Sequence, residues 1–246
     1  MKRILLTTVS LGVLGLMSPA LAADADMPTA YSKAPVLAAP VYDWTGFYVG
    51  GFGGGGYGNH NLDNALGFTG AANYTVNYSS QGELAGGEAG YNVQSGRYLF
   101  GVEGDLFWAN IKGNDAFALG SNDATNLRWG GTLRARSGYT VDRWLMFFTG
   151  GWAYGDLVHT NTDPVNGVDQ FTVHRSGLTG GGGIAYALTD NVIGKLEYRY
   201  YDFGAYNRAG GPLTPNGQLP YTVNSTYSVI TLGLDIKFGG GVVARY

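Results

Sequence analysis

Residues 126–139 read NLRWGGTLRARSGY, and the alternation of their side chains decides the fold. Successive side chains of an extended strand point to opposite faces. One face would carry Leu127, Trp129, Leu133, Ala135 and Tyr139. The other would carry Arg128, Thr132, Arg134 and Arg136. A membrane barrel turns an apolar face towards lipid and keeps charges inside, and this pattern is typical of such a strand.

Seven further segments alternate in the same way, and turn signals bound each of them. The eight segments are 44–55, 83–93, 98–110, 126–140, 144–155, 171–188, 192–203 and 226–238. Most are close to the 9–11 residues that a tilted strand needs to cross the hydrocarbon layer. We therefore predict an all-β fold, an eight-stranded antiparallel up-and-down transmembrane β-barrel.

The connections between these segments alternate in length. Three are tight turns, at 92–97, 140–143 and 188–191. Four are long and polar, at 56–82, 111–125, 155–170 and 204–225. Outer-membrane barrels have short periplasmic turns and long extracellular loops. The expected location is the cell outer membrane, and the even strand number places both termini in the periplasm.

The N-terminus has the composition of an export signal. Lys2 and Arg3 precede a short apolar stretch, and Ala20-Leu21-Ala22 forms a small-residue cleavage site. We predict a signal peptide over 1–22, a Pro-rich periplasmic linker over 23–43 and the barrel domain over 44–246. The chain has no Cys, which excludes thiol catalysis and cysteine-bound metals.

Charged residues make up 13% of the chain, and many of them share the predicted inner face of the strands. The predicted interior set is Glu88, Glu103, Asp105, Arg128, Arg134, Arg136, Lys195, Glu197, Arg199, Asp235 and Lys237. The interior of an eight-stranded barrel is only wide enough for side chains to fill it. Because unpaired buried ions are costly, we expect these groups to pair into a plug. A narrow ion path lined by the same groups is the alternative.

Aromatic residues lie within the segments or at their ends. They include Trp44, Trp108, Trp129, Trp144, Trp152, Tyr91, Tyr98, Tyr139, Tyr198 and Tyr200. These positions suit the aromatic girdles at the two membrane interfaces.

Four stretches carry a family resemblance: WTGFYVGG at 44–51, TLRARSGY at 132–139, EYRYYDFG at 197–204 and KFGGGVVARY at 237–246. They resemble the small outer-membrane barrels of α-proteobacteria, called porin-like or major surface-antigen proteins. The resemblance implies an eight-stranded barrel related to the membrane half of OmpA-type proteins. Its members are variously credited with envelope integrity, host-surface interaction or haemin binding.

The C-terminal residues also resemble a recognition signal. Phe238, Val242 and Tyr246 fall on one face of an alternating tail. Such a tail resembles the strand edge that the barrel-assembly machinery reads by β-augmentation.

Little in the sequence indicates chemistry. The glycine runs lack the Gly-Lys-Ser/Thr of a phosphate loop, and no nucleophile elbow is present. His159 and His174 flank one predicted loop, where they could meet around a haem or a metal ion, while His60 lies in another loop. Solvated loop residues are the simpler interpretation, so we expect no cofactor and no enzyme activity.

These observations predict a structural role in envelope integrity and surface presentation. A passive small-solute porin is the first alternative, and a haemin-binding or adhesin-type receptor acting through its loops is the second. Expected partners are outer-membrane lipid and lipopolysaccharide, the assembly machinery, and a host or environmental ligand at the loops. Nucleic acid is not expected, because the sequence has no basic patch. The sequence does not indicate an oligomeric state.

Overall fold

Eight strands form a closed barrel in the computed structural model, which describes residues 42–64, 74–116, 122–163, 167–208 and 221–239. The strands are β1 (Gly46–Asn64), β2 (Tyr74–Ser95), β3 (Tyr98–Ala116), β4 (Asn122–Val141), β5 (Trp144–Asp163), β6 (Gly167–Ala187), β7 (Val192–Arg208) and β8 (Tyr221–Phe238). Consecutive strands pair antiparallel, and β8 pairs with β1. The predicted fold class is confirmed.

No helix among the described residues is long and apolar enough to cross a membrane.

The strands are longer at one end than the sequence predicts. At the end with the short connections, here called the turn end, the predicted and observed boundaries agree within two residues. At the opposite end, here called the loop end, β1 continues to Asn64 and β2 begins at Tyr74, inside a predicted loop. In this segment polar side chains lie on both faces of the strand, and that pattern suggested a loop. Beyond the membrane both faces of a hairpin contact water, so polar residues can continue the paired strands there. The hairpins therefore continue beyond the apolar part of the wall.

The outer surface carries a continuous apolar band. On β3 it runs from Tyr98 to Trp108, and on β5 from Trp144 to Tyr154. Trp108 and Trp152 expose 73% and 70% of their surface to the outside. A band of about ten residues of strand matches the hydrocarbon thickness that a tilted strand crosses.

One bulge changes the predicted face of Arg128. The register shifts between Leu127 and Trp129 where β4 pairs with β5, and between Trp108 and Ile111 where β3 pairs with β4. Leu127 is consequently buried inside, whereas Arg128 and Trp129 are both exposed. The predicted outward face of Leu127 and inward face of Arg128 were wrong, because an extra residue shifts the period-2 alternation by one position.

Trp44 also lies on the side of the wall opposite to the prediction. It precedes β1 and is only 1% exposed, within the turn end of the barrel. It is therefore not part of an interfacial girdle. Tyr42 and Asp43, assigned by sequence to the linker, contact barrel residues with it.

Several sequence predictions lie outside the described residues. These are the signal peptide, the linker up to residue 41, and Val242 and Tyr246 of the C-terminal signal. Phe238 ends β8, and its exposed ring lies 6.0 Å from the ring of Phe47 on β1.

Candidate functional site: the charged interior

The barrel interior is filled by side chains in layers. A turn-end apolar layer consists of Tyr42, Trp44, Leu99, Leu145, Phe147, Ala185, Ala187 and Ile193. A loop-end apolar layer consists of Phe52, Leu84, Phe107, Ile111, Leu127, Ala153, Leu157, Tyr201, Phe203, Tyr227 and Val229. Between them lies the charge layer, made of Glu88, Glu103, Asp105, Arg134, Arg136, Lys195, Glu197, Arg199 and Asp235, all buried. The lumen thus alternates apolar, ionic and apolar material along its axis.

Arg134 of β4 contacts three carboxylates. One terminal nitrogen bonds Glu103 and lies 3.1 Å from Asp105, both on the neighbouring strand β3. The other reaches Glu197 of β7 at 2.6 Å, on the far side of the lumen. The side chain of Arg134 is completely buried. This single guanidinium therefore links opposite walls of the barrel.

Two cations of β7 cross the lumen in the reverse direction. Lys195 bonds Glu88 of β2 through its ammonium group. The guanidinium of Arg199 lies 3.4 Å from Glu88 and 3.1 Å from Asp105. It also lies 2.9 Å from Glu197, which is two residues earlier on the same strand. Glu88, Glu103, Asp105 and Glu197 each lie within 4 Å of two or more cations, and such shared pairing is what buried ions require.

Arg136 occupies the side of the charge layer nearest the turn end. It lies 3.0 Å from the hydroxyl of Tyr48 and 3.3 Å from Glu103. Its guanidinium also stacks 3.8 Å from the centre of the Phe147 ring, a cation–π contact. Tyr48 in turn donates a hydrogen bond of 2.5 Å to Glu103. Arg136 therefore joins the ionic layer to the apolar layer beneath it.

The three carboxylates of Glu88, Glu103 and Glu197 approach one another closely enough to hold a metal ion. The ammonium group of Lys195 lies among them, bonded to Glu88 and 3.6 and 3.5 Å from Glu103 and Glu197. A side chain of the protein therefore supplies the positive charge that these carboxylates need.

The turn end of the lumen is covered by the segment before β1. The main-chain nitrogen of Trp44 donates to the side chain of Gln94 at 2.8 Å. Lys237 donates to the main-chain oxygen of Asp43, and its ammonium group lies 4.3 Å from the centre of the Tyr42 ring. Lys237 is thus inside the barrel but separate from the charge layer.

Tyr42 fixes the start of this segment to a turn. Its hydroxyl donates to the main-chain oxygen of Asp190 at 3.2 Å. Burial, and next the charge of Asp190, raise the pKa of Tyr42 to about 12, so the hydroxyl keeps its proton at neutral pH. The Tyr42–Thr45 segment is therefore anchored as a cover across the turn end.

The structure places ten of the eleven sequence-predicted charges inside the barrel, Arg128 being the exception. Sequence reasoning missed Tyr48, which hydrogen-bonds Glu103, and it placed Thr132 on the inward face without identifying its hydrogen bond to Asp105. The inward position of Tyr48 was predictable, because residues two apart on a strand share a face and Tyr48 lies two residues before the inward Gly50. Sequence reasoning also missed the cover that Tyr42 and Trp44 form over the turn end, because the composition of a Pro-rich linker does not indicate where its last residues pack.

The histidines do not converge in the way that the sequence allowed. His174 faces outward and pairs with Asp156 at 2.9 Å, whereas His159 faces inward and bonds Thr125 at 2.9 Å. The wall of the barrel therefore separates them. His60 is buried, with its two ring nitrogens on the hydroxyls of Ser225 and Ser80. The alternative in which His159 and His174 meet around a haem or a metal ion is therefore excluded, and the preferred interpretation as solvated loop residues was wrong for the buried His60.

The family model of the outer membrane protein beta-barrel domain matches residues 11–238. The chain belongs to this family. It is 34% identical over 205 residues to the 25 kDa outer-membrane immunogenic protein of Brucella abortus, covering 82% of this chain and 85% of that one. It is 30% identical over 208 residues to the 22 kDa outer membrane protein of Rhizobium leguminosarum, covering 84% and 82%. The expected kinship with α-proteobacterial barrels is confirmed.

A solved structure shares the fold. The outer membrane protein OprG of Pseudomonas aeruginosa aligns with a TM-score of 0.51 at 14% identity, covering 82% of this chain and 99% of that one. The fold is a closed β-barrel and the relatives are outer-membrane proteins, so the protein is located in the outer membrane.

Close packing around the charge layer gives a test with a matched control. A Cβ atom on the inward Gly50 would lie 1.9 Å from a carboxylate oxygen of Asp235 and 2.7 Å from the main-chain oxygen of Leu234. On the adjacent Gly51 the nearest atom would be 3.6 Å away. We expect Gly50→Ala to destabilise the barrel by about 1–3 kcal/mol and Gly51→Ala to be tolerated. Denaturant unfolding in lipid vesicles measures both, and equal stability of the two variants would contradict the described packing.

Proposed function

We propose that this protein is a non-conducting outer-membrane anchor that contributes to envelope integrity and presents its loops at the cell surface. The observation that carries the proposal is the charge layer, whose cations reach carboxylates on opposite walls of the lumen. Apolar layers lie on both sides of it. A hydrated solute would have to separate several buried ion pairs and then cross mostly apolar side chains that offer it few hydrogen bonds.

The competing function is a passive porin. It would need the charge layer to line a water-filled path, as the interior of larger barrels does. The contacts of Arg134, Lys195 and Arg199 support occlusion instead, because each head group lies against carboxylates of the opposite wall. Single-channel conductance separates these two functions.

The second part of the proposal concerns orientation. The relatives from Brucella are named immunogenic outer-membrane proteins, which supports surface exposure of part of the chain. We propose that the loop end is extracellular and that both termini are periplasmic. The connections at that end are the longer ones, and loops on a rigid scaffold commonly carry recognition.

Cysteine labelling tests this orientation directly, because the protein has no cysteine of its own. Asn61 and Asn207 lie at the loop end, whereas Arg97 lies in the turn between β2 and β3. We expect a membrane-impermeant maleimide to label Asn61→Cys and Asn207→Cys on intact cells. Arg97→Cys should react only after the outer membrane is permeabilised. Labelling of Arg97→Cys on intact cells would reverse the proposed orientation.

The envelope role is tested by complementation of a deletion strain. We expect the deletion to increase sensitivity to detergent, and the wild-type chain to restore resistance. A chain whose residues 65–73 and 209–220 are replaced by Gly/Ser linkers should restore it equally, because the barrel would suffice. Full detergent resistance of the deletion strain would contradict the envelope role, and failure of the folded linker variant would assign that role to the loops.

Recognition of the C-terminal strand by the barrel-assembly machinery, and contact with lipopolysaccharide, remain part of the proposal. The outward face of β8, which ends at Phe238, suits both partners because it is apolar and lies beside β1.

A further inference from the structure

An open groove lies on the outer surface of the barrel at the loop end, with room of about 620 Å³. Two rows of register partners on β8, β1 and β2 line it: Thr226, Asn59 and Ser79, then Asn224, Asn61 and Asn77. Their neighbours along the strands, such as His60, Tyr78 and Ser225, are buried inside the barrel. The side chains of both rows therefore point outward, away from the lumen.

The groove begins directly above the outer apolar band. On β8 the exposed Leu232 and Ile230 are the last outward apolar residues, and Ser228 follows them towards the loop end. Tyr57 of β1 is the register partner of Ser228, and it is 46% exposed at the edge of the groove. The groove thus has one exposed aromatic ring on its membrane side and polar side chains beyond that ring.

The lining groups can both donate and accept hydrogen bonds. Asn amides and the hydroxyls of Ser, Thr and Tyr combine the two roles, whereas a carboxylate only accepts and Lys or Arg only donates. Asn61 donates to Asn77 at 2.7 Å. Among the residues that the structure describes, the side chains of Asn59, Ser79 and Asn224 have no hydrogen-bond partner. Their amide and hydroxyl groups are therefore available to a ligand.

Charged groups lie around the groove but not in its lining. Within the described ranges no Asp, Glu, Lys or Arg lines it. The exposed carboxylates of Asp63, Glu83 and Asp202 surround it on β1, β2 and β7. An anion would therefore be repelled from this side of the barrel. The neighbouring outer surface differs, because β3 and β4 expose Lys112 and Arg128 there.

The strands under the groove are held together from inside the barrel. His60 of β1 is buried, and its two ring nitrogens lie 3.0 Å from the hydroxyl of Ser225 on β8 and 2.9 Å from that of Ser80 on β2. Its ring stacks on Tyr78 with 4.8 Å between the ring centres. All three strands are thus linked at the level of the two rows, and a surface that is already fixed loses little entropy when a ligand binds.

We propose that this groove binds a short neutral oligosaccharide, with a sugar ring against Tyr57 and sugar hydroxyls on Asn59, Asn77 and Asn224. Each sugar hydroxyl donates and accepts, as the lining amides and hydroxyls do. The C–H face of a sugar ring is apolar, and Tyr offers it a rigid aromatic surface. Strands about 4.8 Å apart and rows about 6.8 Å apart place the polar groups within the span of one or two sugar units.

The inference rests on the proposed extracellular position of the loop end, and it adds a class of ligand to the anchoring role. Neutral sugars reach that surface from two sources. One is the head groups of outer-leaflet glycolipids beside the barrel, and the other is glycan chains outside the cell. The groove is open to both, because it lies on the outer surface directly above the apolar band.

The test uses the refolded chain of residues 23–246 in nanodiscs of zwitterionic phospholipid, where both ends of the barrel are accessible. Three probes are titrated calorimetrically at low and at high salt. Cellohexaose and chitohexaose represent glycans outside the cell. The neutral oligosaccharide fraction that mild acid releases from the lipopolysaccharide of the deletion strain represents the outer leaflet.

The groove variants are Tyr57→Ala and the double variant Asn59→Ala/Asn77→Ala. Their matched controls are Tyr154→Ala, an outward tyrosine of β5 that is 40% exposed, and Asn110→Ala, an exposed asparagine of β3. Both controls lie on the outer surface away from β8, β1 and β2. They therefore remove the same side-chain types without changing the groove.

We expect at least one probe to bind wild type saturably, with an affinity that changes little with salt because no charge pair forms. Each groove variant should weaken this binding by roughly tenfold, the effect of losing a ring contact or two hydrogen bonds, and each control should bind like wild type. Binding of the lipopolysaccharide fraction alone would assign the ligand to the outer leaflet. Binding of cellohexaose or chitohexaose would assign it to glycans outside the cell.

Absence of saturable binding for all three probes would overturn the proposal. Equal affinities of folded Tyr57→Ala and Tyr154→Ala would also overturn it, with folding checked by the change in gel mobility on boiling. Affinity that is lost at high salt and in Lys112→Gln/Arg128→Gln would place the ligand on those cations instead. If Tyr57→Ala does not fold, Ser79→Trp decides, since it fills the groove from an exposed position and should abolish binding. None of these results affects the anchoring role, which conductance and complementation test separately.

Discussion

Arg134→Ala is expected to lower the free energy of unfolding by roughly 3–5 kcal/mol, the loss typical when one partner of a buried ion pair is removed. Arg134 contacts Glu103, Asp105 and Glu197 with its side chain fully buried. Its removal leaves buried carboxylates short of a counter-charge. Equilibrium unfolding in lipid vesicles, followed by tryptophan fluorescence and by gel mobility, measures the effect.

The matched control is Arg128→Ala. Arg128 lies on the same strand, and sequence analysis placed it on the same face, but it is exposed on the outer surface next to the bulge. We expect a change within about 0.5 kcal/mol. Arg134→Met keeps the apolar volume and should still destabilise the barrel, because the carboxylates stay unpaired. Equal stability of Arg134→Ala and Arg128→Ala would show that the ionic contacts do not hold the lumen together.

Trp44→Ala is expected to cost about 3–5 kcal/mol, the range for truncating a large buried aromatic side chain. Trp44 packs with Leu99, Leu145 and Phe147 across the turn end, and its main chain is bonded to Gln94. Its loss removes most of the cover over that end of the lumen. The same unfolding measurement applies, with thermal loss of the compact gel form as a second readout.

Trp152→Ala serves as the control for Trp44. Trp152 is of the same residue type but faces outward, where lipid and not protein surrounds it. We expect a clearly smaller loss than for Trp44→Ala, because no cavity forms inside the barrel. A larger loss for Trp152→Ala would mean that membrane anchoring, and not the turn-end cover, dominates stability.

The fold could be predicted from the sequence because the strands of a membrane barrel alternate between lipid-facing and inward residues, and this two-residue period is visible in the sequence. Along 144–155 the lipid-facing positions are mostly aromatic, whereas the inward positions hold Leu145, Phe147 and then small residues, and the prediction that this segment forms a strand is confirmed. Parity within each strand also determined which charges point inward, as at Lys195, Glu197 and Arg199. No knowledge of the partners across the lumen was needed for this.

Other features were not accessible, for identifiable physical reasons. Parity fails at a bulge, and nothing in the letters around Arg128 marks the extra residue that turned Leu127 inward. Pairing across the lumen, such as Arg134 of β4 with Glu197 of β7, depends on how strands three positions apart in the chain approach each other in the closed barrel. The register shift between Asp202 and Ala205 of β7 depends on the conformation of Gly204, and a lone glycine in a strand allows several conformations.

The most direct test of the occluded lumen is single-channel conductance of the chain of residues 23–246, refolded and inserted into a planar bilayer. Arg134, Lys195 and Arg199 hold carboxylates of opposite walls, so we expect silence or rare small openings in wild type. Openings should become more frequent in a folded Arg134→Ala variant. Steady conductance of wild type that rises in proportion to salt concentration would contradict the account, because the charges would then line a pore.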